Sequence, residues 1–343
     1  MLSIIIITII IALLFDFLNG MNDAANSIAT IVATRVFSPA TAVLWAAFWN
    51  FAAIFVFGIH VAKTMGGGIV NPLLVNEYLI LAALIGSVLW VWICTRFGLP
   101  ISVSHALIGG LIGPAWFAHG SAALFFSGIF KIAVFIVLSP LIGLVLGFLM
   151  MCLTMFLFRR RHPARVEGLF KGMQMLSSAV FSLGHGANDA QKTMGIIAVL
   201  LFSVAGSNEF VDRYLYSAGE FYIPTWLIVT CYTVIALGTI VGGKKVMKTL
   251  GDGLAKLKPV QGFCAETSGA LTLIGTAVLG VPVSTTHTIT GSIIGTGITK
   301  GVASVRWATA THIMAAWVFT IPATILMSGA IYWIISLFVP TGA

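Results

Sequence analysis

Charged side chains are scarce in this sequence. Only 8% of its 343 residues are Asp, Glu, Lys or Arg, whereas 59% are hydrophobic. A soluble domain typically carries about 25% charged residues. Apolar runs long enough to cross a bilayer recur from one end of the chain to the other and leave no stretch for a separate soluble domain. The composition therefore predicts an all-α polytopic membrane protein and excludes a function located outside the bilayer.

Cysteine motifs are also missing, and a cleavable leader is not expected. The four cysteines stand singly in apolar runs, which excludes a CxxC metal or redox site. The first apolar run, Leu2 to Phe15, has neither a basic beginning nor a small-residue cleavage site. We therefore expect it to be retained as the first membrane span.

Basic residues exceed acidic ones, 18 to 10, and the excess is concentrated in residues 159–171 and 244–258. The positive-inside rule predicts that both segments lie on the cytoplasmic side. This explanation accounts for the clusters better than nucleic-acid binding, and no nucleic-acid partner is expected.

Two acidic motifs interrupt this apolar background. The pattern Gly-x-Asn-Asp occurs at residues 20–23 and again at 186–189, 166 residues later. A carboxylate at mid-bilayer costs at least ~2.5 kcal/mol, so such a group faces a cavity, a partner or an ion. The surrounding apolar segments are longer than one span needs, and we expect the helices to break at Gly20 and between Gly184 and Gly186.

A second pair of motifs is matched at an offset of 182 residues. Residues 98–105 and 280–287 share Gly, Pro, Ser, a hydroxyl residue and His at equivalent positions, and two further glycines follow each motif. Such short, glycine-rich segments predict two re-entrant helical hairpins. The chain is thus predicted to comprise an N-terminal transmembrane repeat (1–158), a cytoplasmic linker (159–168) and a C-terminal repeat (169–343).

Counting crossings gives the orientation of these repeats. We predict separate crossings at 122–138 and 141–158, so five crossings precede the Arg159 cluster and the chain starts outside. The second repeat then starts inside, giving the inverted topology that many secondary transporters use. Lys300 and Arg306 are expected outside, and the tail from Trp307 forms one span or two.

The hairpins carry the hydroxyl groups of a candidate anion site. Helix N-termini and hydroxyls hold an oxyanion by donating hydrogen bonds. The candidate donors are Ser102, Ser104, Ser284, Thr285 and Thr286. The alternative is that these hydroxyls bond back to their own helices.

The acidic motifs supply oxygen atoms for a cation. Carboxylates beside a bound anion repel it unless a cation lies between them, which favours cotransport. The candidate cation ligands are Asp23, Asn26, Asp189 and Glu266, and Asn22 and Asn188 join Asp23 and Asp189 among the candidate anion-site residues. A hard cation such as sodium, or a proton, suits these groups. In the alternative role, each Asp caps a helix at Gly.

Three further side chains are assigned supporting roles. Lys192 has no basic counterpart in the first motif, and we expect it to pair with Glu266 or with the substrate. His105 and His287 are expected to form a hydrogen-bonded scaffold, with a proton relay or a metal site as weaker alternatives. The role of Asp16 stays open.

At these residues the sequence resembles the inorganic phosphate transporter (PiT) family. The matching segments are Gly-Met-Asn-Asp-Ala-Ala-Asn at 20–26, Ser-His-Ala-Leu-Ile-Gly-Gly at 104–110, Gly-Ala-Asn-Asp-Ala-Gln-Lys-Thr at 186–193 and Pro-Val-Ser-Thr-Thr-His-Thr at 282–288. The resemblance implies phosphate uptake driven by sodium or protons, an inverted-repeat fold, often a homodimer, and a midplane site lined by these motifs. Met21 stands where the family more often has Ala, and the central loop is short, as in a compact prokaryotic member.

These observations predict a secondary transporter, not an enzyme. We expect it to import inorganic phosphate by sodium symport through alternating access, in the cell inner (plasma) membrane, with sodium as coupling ion and no other cofactor. Proton-coupled transport of phosphate or metal phosphate, and sulfate transport as in relatives of this pattern, are the alternatives. An anion channel is a weaker one, because paired carboxylates argue against it. An intramembrane hydrolase is weaker still, because Ser104 and His105 point apart on a helix.

Overall fold

A computed structural model describes residues 2–216, 221–251 and 253–339. Within these ranges the chain is helical, with two isolated β-bridges and no strand. Four helices are long and apolar enough to cross a membrane, or up to six if each of two bent helix pairs counts as one span. The predicted all-α polytopic membrane fold is confirmed.

The two halves of the chain present their helices in the same order: a long helix, a bent pair, a hairpin and another long helix. The first half contains α1 (Leu2–Ala33), α2 (Pro39–Ala52), α3 (His60–Gly67), α4 (Glu77–Phe97), α5 (Val103–His119) and α6 (Phe126–Phe158). The second contains α7 (Pro163–Val204), α8 (Thr225–Val241), α9 (Lys244–Gly251), α10 (Pro259–Val278), α11 (Thr285–Ile298) and α12 (Trp307–Phe338). Helix α7 begins inside the predicted linker, and the boundaries of the two repeats stay a prediction.

Two helical hairpins enter the molecule from opposite sides. Hairpin 1 is α4–α5 and hairpin 2 is α10–α11. A β-bridge between Val70 and Leu124 closes the base of hairpin 1, and one between Ala255 and Val305 closes the base of hairpin 2. The packing is exchanged between halves, since α12 packs on α5 and α6 packs on α11. This reciprocal arrangement is that of inverted-topology repeats.

Broken helices are present, but at other positions than those predicted. The bends lie between α2 and α3, at 85°, and between α8 and α9, at 75°. Helices α1 and α7 run without a break through Gly20 and Gly186. These glycines serve close helix contacts instead, because a Cβ would lie 2.2 Å from the Ile235 carbonyl oxygen at Gly20 and 2.4 Å from the Asn50 oxygen at Gly186.

Two predicted boundaries in the long apolar segments are also corrected. The crossings predicted at 122–138 and 141–158 form the single helix α6, with Pro140 inside it. The tail is one helix, α12, which contains Pro322. Proline is tolerated within membrane helices because neighbouring groups satisfy the freed backbone carbonyl.

The prediction that Lys300 and Arg306 lie opposite the basic clusters is wrong. Lys300 Nζ donates to Gln261 Oε1 at 2.7 Å, and the Arg306 N–H donates to the Leu254 carbonyl at 2.9 Å. Partial burial, together with the nearby Lys258 ammonium, lowers the pKa of Lys300. Hairpin 2 therefore returns the chain to the side of Lys258. Helix α4 is one arm of hairpin 1 and is not counted as a crossing. Three crossings then precede Arg159, namely α1, the α2–α3 pair and α6. Because this number is odd, the N-terminus is still predicted to lie outside.

Candidate functional site

The two acidic motifs lie side by side at the centre of the molecule. Helices α1 and α7 pack against each other and carry Asp23 and Asp189, whose exposed fractions are 2% and 1%. One ligand atom each from Asp23, Asp189 and His185 lies within 4.8 Å of the others. The structure thus brings the two predicted carboxylates together, with a histidine that the sequence analysis left unassigned.

Asp23 is surrounded by neutral donors from hairpin 2. The Thr285 hydroxyl donates to one carboxylate oxygen at 3.1 Å, and the Thr286 hydroxyl donates to the other at 3.4 Å. Among the described residues no lysine, arginine or histidine forms a salt bridge with it. A buried carboxylate without a counter-ion is costly, so Asp23 favours a cation as a ligand.

Asp189, in contrast, has two basic neighbours on its own helix. Lys192 Nζ lies 2.5 Å from Oδ1, and His185 Nε2 lies 3.1 Å from Oδ2. Lysine at i+3 and histidine at i−4 reach the same helix face. The expected pairing of Lys192 with Glu266 is wrong, because the nearer carboxylate of Asp189 takes its ammonium group. When both carboxylates are ionised and His185 is neutral, the ammonium leaves the cluster with one surplus negative charge.

Lys192 also links the acidic cluster to the tips of both hairpins. Its ammonium donates to the Ser104 hydroxyl of hairpin 1 and, at 2.9 Å, to the Val283 carbonyl of hairpin 2. At the equivalent position of the first motif, Asn26 Nδ2 donates to Thr286 at 3.0 Å. Ser104 and Thr286 occupy equivalent places in the two hairpins, so each long helix holds the hairpin of the opposite half through one N–H donor.

The hairpin tips meet at this cluster. Ser102 and Ser284 cap α5 and α11, each accepting at 3.2 Å from the backbone N–H three residues on, that of His105 and that of His287. The single proton of the Thr286 hydroxyl is shared between Asp23 and the Ile101 carbonyl, which lies nearer, at 3.0 Å. The N-termini of both helices, with their positive partial charge, are therefore directed at the same central region.

Three asparagine oxygens of the segments 20–26 and 186–193 have no hydrogen-bond partner among the described residues. Asn22 donates to the Thr95 hydroxyl at 2.7 Å, and Asn188 donates to the Gly184 and Leu273 carbonyls, both at 2.9 Å. The Oδ1 atoms of Asn22, Asn26 and Asn188 are buried and accept no hydrogen bond from the described residues. Because an unsatisfied buried acceptor costs ~1–3 kcal/mol, these oxygens point to a ligand.

His105 and His287 pack behind the tips. Their ring centroids are 4.7 Å apart in an edge-to-face arrangement, and His287 stacks on Trp317 at 3.7 Å. His287 Nδ1 lies 3.3 Å from the Ile136 carbonyl. These contacts fit a scaffold that fixes the hairpins against each other and against α6 and α12.

Glu266 lies outside the central cluster. It accepts hydrogen bonds from Thr30 at 2.6 Å, Gln174 at 3.0 Å and Ser177 at 2.5 Å. Thr34 in turn donates to Gln174 Oε1 at 2.9 Å. These residues form a second, fully buried, oxygen-rich cluster between α1, α7 and α10, which we call the Glu266 cluster.

Several of these partners were missed because only the fold brings them together. Asn50 lies 3.1 Å from His185 Nδ1 and donates to Thr239 at 3.0 Å. Thr193 donates to Asp16 at 2.9 Å, giving that open residue one partner. For His185 a signal was present in the sequence, since it precedes Asp189 by one helical turn.

A cavity lies beside the first acidic motif, next to Met21. Its volume is about 280 Å³, and Arg96, Lys244 and Lys245 are among its lining residues. Thr95, the partner of Asn22, and Met21 also line it. The lining carries positive charge, which attracts anions.

Inverted repeats, re-entrant hairpins and a buried site of hydroxyls and carboxylates at their meeting point are the features of a membrane transporter. Comparison with known proteins identifies the family of transporters. The model of the phosphate transporter family matches residues 19–328. The chain belongs to this family, as the sequence motifs indicated.

Individual relatives match this chain over almost its whole length. A probable low-affinity inorganic phosphate transporter of Rhizobium meliloti (strain 1021) is 51% identical over 325 residues, covering 95% of this chain and 94% of that protein. One so described from Bacillus subtilis (strain 168) is 38% identical over 334 residues, 97% of each chain. A solved structure, "The sodium-dependent phosphate transporter", is 27% identical, with a TM-score of 0.89 over 98% of this chain and 100% of that one.

Proposed function

We propose that this protein imports inorganic phosphate by sodium symport through alternating access. The observation that carries the proposal is the meeting of both hairpin tips over two buried carboxylates, of which only Asp189 has a lysine partner among the described residues. The surplus negative charge opposes binding of an anion alone and favours its binding together with cations. The sodium-dependent neighbour of the same fold supports sodium as the coupling ion.

The phosphate site lies between the hairpin tips. Hydroxyl groups and the first backbone N–H groups of α5 and α11 converge there, and the Lys192 ammonium stands between the two tips. The proposed phosphate ligands are Asn22, Asp23, Ser102, Ser104, Asn188, Asp189, Ser284, Thr285 and Thr286. In the present arrangement the hydroxyls of Ser104, Thr285 and Thr286 bond protein groups, so substrate binding must exchange these bonds for bonds to phosphate.

Sodium is proposed to bind against the carboxylate of Asp23. Oxygen atoms of Asp189 and Asn26 lie in the same cluster, and sodium is a hard cation that prefers such ligands. The unsatisfied Oδ1 atom of Asn26 becomes satisfied when it coordinates the ion. A proton on Asp23 neutralises the same charge, so proton coupling is the alternative that the transport experiment must exclude.

Glu266 is proposed to serve a second, separate sodium position. The Glu266 cluster offers hydroxyl, amide and carboxylate oxygens away from Asp23. We expect Glu266→Gln to reduce the steepness of the sodium dependence of uptake while leaving the phosphate affinity at saturating sodium within about threefold of wild type. Uptake measured over a sodium series checks this, and an unchanged steepness contradicts it.

Phosphate is favoured over sulfate by the acceptors in the site. Phosphate at neutral pH carries a proton that it can donate, whereas sulfate is an acceptor only. Asp23 and Asp189 offer carboxylate oxygens to such a donor. The names of the relatives agree with phosphate.

The remaining assignments follow from the family and the charge distribution. We propose a multi-pass protein of the inner (plasma) membrane, with the basic segments 159–171 and 244–258 on the cytoplasmic side. We further propose a homodimer, built from protomers that each contain two repeats, residues 1–158 and 169–343.

Gradient-driven uptake tests the proposed function. Purified protein in liposomes is given labelled phosphate under an imposed sodium gradient, an imposed proton gradient or neither, with unlabelled sulfate as competitor. We expect accumulation with sodium alone and no competition by sulfate. Accumulation with protons alone would assign coupling to the proton, flux without any gradient requirement would indicate a channel, and sulfate competition would change the substrate.

A further inference from the structure

A cavity of about 350 Å³ lies far from the substrate site, where α6 ends and where α7 and α10 begin. Arg159, Arg161 and Lys258 line it together with the carboxylate of Glu167. In the described part of the chain none of the three cations forms a salt bridge with a carboxylate, and Glu167 lies 3.8 Å from Lys171. We propose that this cavity binds the headgroup of an anionic diacyl phospholipid.

The charge of the cavity fits a phosphodiester. Three cations against one carboxylate leave a positive excess. Helices α7 and α10 both begin with proline at the cavity, at Pro163 and Pro259, so two helix N-termini add positive partial charge there. Basic pockets between membrane helices on the cytoplasmic side are recognition sites for anionic headgroups.

The apolar part of the lining distinguishes a lipid from free phosphate. Met151, Met155, Phe158, Val166 and Val260 contribute to the wall. A free phosphate ion gains nothing from such contacts, whereas the glycerol and first methylenes of a phospholipid bury apolar surface against them.

The surface next to the cavity accommodates the acyl chains. Met155 on α6, which lines this cavity, and Leu169 on α7, which lines a second depression beside it, are exposed by 42% and 48%. The cavity itself holds only a headgroup with its glycerol, so the chains lie along this exposed apolar surface. The Arg159 guanidinium stacks over Phe156 at 4.6 Å, where α6 passes into the basic segment.

A neighbouring cavity extends the site. Its volume is about 260 Å³; it shares Phe158, Arg161 and Val166 with the first and adds Arg165 and Leu169. Arg161 therefore stands between two basic depressions at the start of α7. Since α7 carries Asp189 and Lys192, a lipid bound here contacts the helix that builds half of the substrate site.

Lipid binding to the purified full-length protein tests the proposal. The protein in a neutral detergent is titrated with dioleoylphosphatidylglycerol or with dioleoylphosphatidylcholine, and bound lipid is counted by native mass spectrometry. The test variant combines Arg159→Gln, Arg161→Gln and Lys258→Gln. The matched control removes three exposed cations of the same predicted membrane side that line neither cavity, by Arg160→Gln, Lys248→Gln and Lys256→Gln.

We expect one phosphatidylglycerol site of higher affinity than the phosphatidylcholine sites. The affinity should fall about fivefold per removed cation and on the order of 100-fold in the test variant, with less than about threefold change in the control. Equal binding of both lipids, or equal loss in the two variants, would overturn the proposal. Complete displacement of the lipid by glycerol 3-phosphate or inorganic phosphate would assign the cavity to a free anion. Binding of a second protein copy in place of lipid would assign the cavity to an interface. Either result would also overturn the proposal.

Discussion

Replacing Asp23 by Asn removes the central carboxylate that forms no salt bridge with a basic side chain of the described residues. Its side chain is buried, and its hydrogen bonds come from the neutral hydroxyls of Thr285 and Thr286 at 3.1 and 3.4 Å. Asp189, in contrast, has the Lys192 ammonium at 2.5 Å. In the proposed symport, the charge of Asp23 is therefore the one that the coupling cation balances.

The size of the effect follows from the charge removed. Two unit charges ~4 Å apart at an effective dielectric constant of about 20 interact by ~4 kcal/mol, which is close to a thousandfold in affinity. The amide oxygen of Asn keeps a ligand atom in place but not the charge. We therefore expect Asp23→Asn to raise the sodium concentration that gives half-maximal phosphate uptake by two to three orders of magnitude.

Initial uptake rates into proteoliposomes, measured over a sodium series at fixed phosphate, give this quantity. Glu209→Gln, at an exposed carboxylate after the end of α7, is the control and should behave like wild type. Retention of full sodium-driven uptake by Asp23→Asn would refute the role given to this carboxylate.

Three further substitutions test the site and the packing around it. Lys192→Met removes the ammonium that lies between the hairpin tips. A unit charge ~4 Å from a bound anion contributes ~4 kcal/mol at an effective dielectric constant of about 20, so we expect the phosphate affinity to fall at least 100-fold by equilibrium binding, and an unchanged affinity contradicts the assignment. Thr286→Val keeps the shape but removes a hydroxyl donor; a lost hydrogen bond of ~1–3 kcal/mol predicts about tenfold weaker phosphate binding or more, and wild-type binding would show that the hydroxyl serves the hairpin alone. Gly186→Ala places a Cβ 2.4 Å from a backbone oxygen of α2 and should lower the melting temperature in detergent, since overpacking costs about 1–3 kcal/mol. In the control on the same helix, Gly172→Ala, the new Cβ meets nothing within 4 Å, so the melting temperature should stay equal or rise.

Much of this architecture could be read from internal repetition in the sequence. The offset of 182 residues between the hairpin motifs predicted two equivalent hairpins, and Ser102 and Ser284 indeed cap α5 and α11 in the same way. Repetition is informative because equivalent residues in two copies meet equivalent surroundings. The same argument indicated that Asp23 and Asp189 belong to one site, and the structure brings them together.

The glycines of the acidic motifs show where sequence reasoning fails. Glycine breaks a helix or lets two helices approach closely, and a single sequence does not distinguish these uses. At Gly20 and Gly186 the second use applies, because carbonyl groups of α8 and α2 occupy the space of a side chain. The bends occur instead next to Gly58, between α2 and α3, and at Gly242 and Gly243, between α8 and α9.

Partners that come from distant parts of the chain were equally beyond prediction. Glu266 was expected to meet Lys192 because both are isolated charges in apolar segments. Their separation depends on helix register, which places Glu266 beside Thr30 and Ser177 and leaves Lys192 with Asp189. Pairing by charge alone fails where a hydroxyl can satisfy a carboxylate just as well.

Phosphate and sodium are proposed to share one site between the hairpin tips. Equilibrium binding of phosphate to the purified protein, by titration calorimetry in sodium and in choline buffer of equal ionic strength and pH, tests this proposal most directly. We expect tight binding in sodium, binding at least 100-fold weaker in choline, and no such difference in Asp23→Asn. Equal affinity of the wild-type protein in both buffers would contradict it.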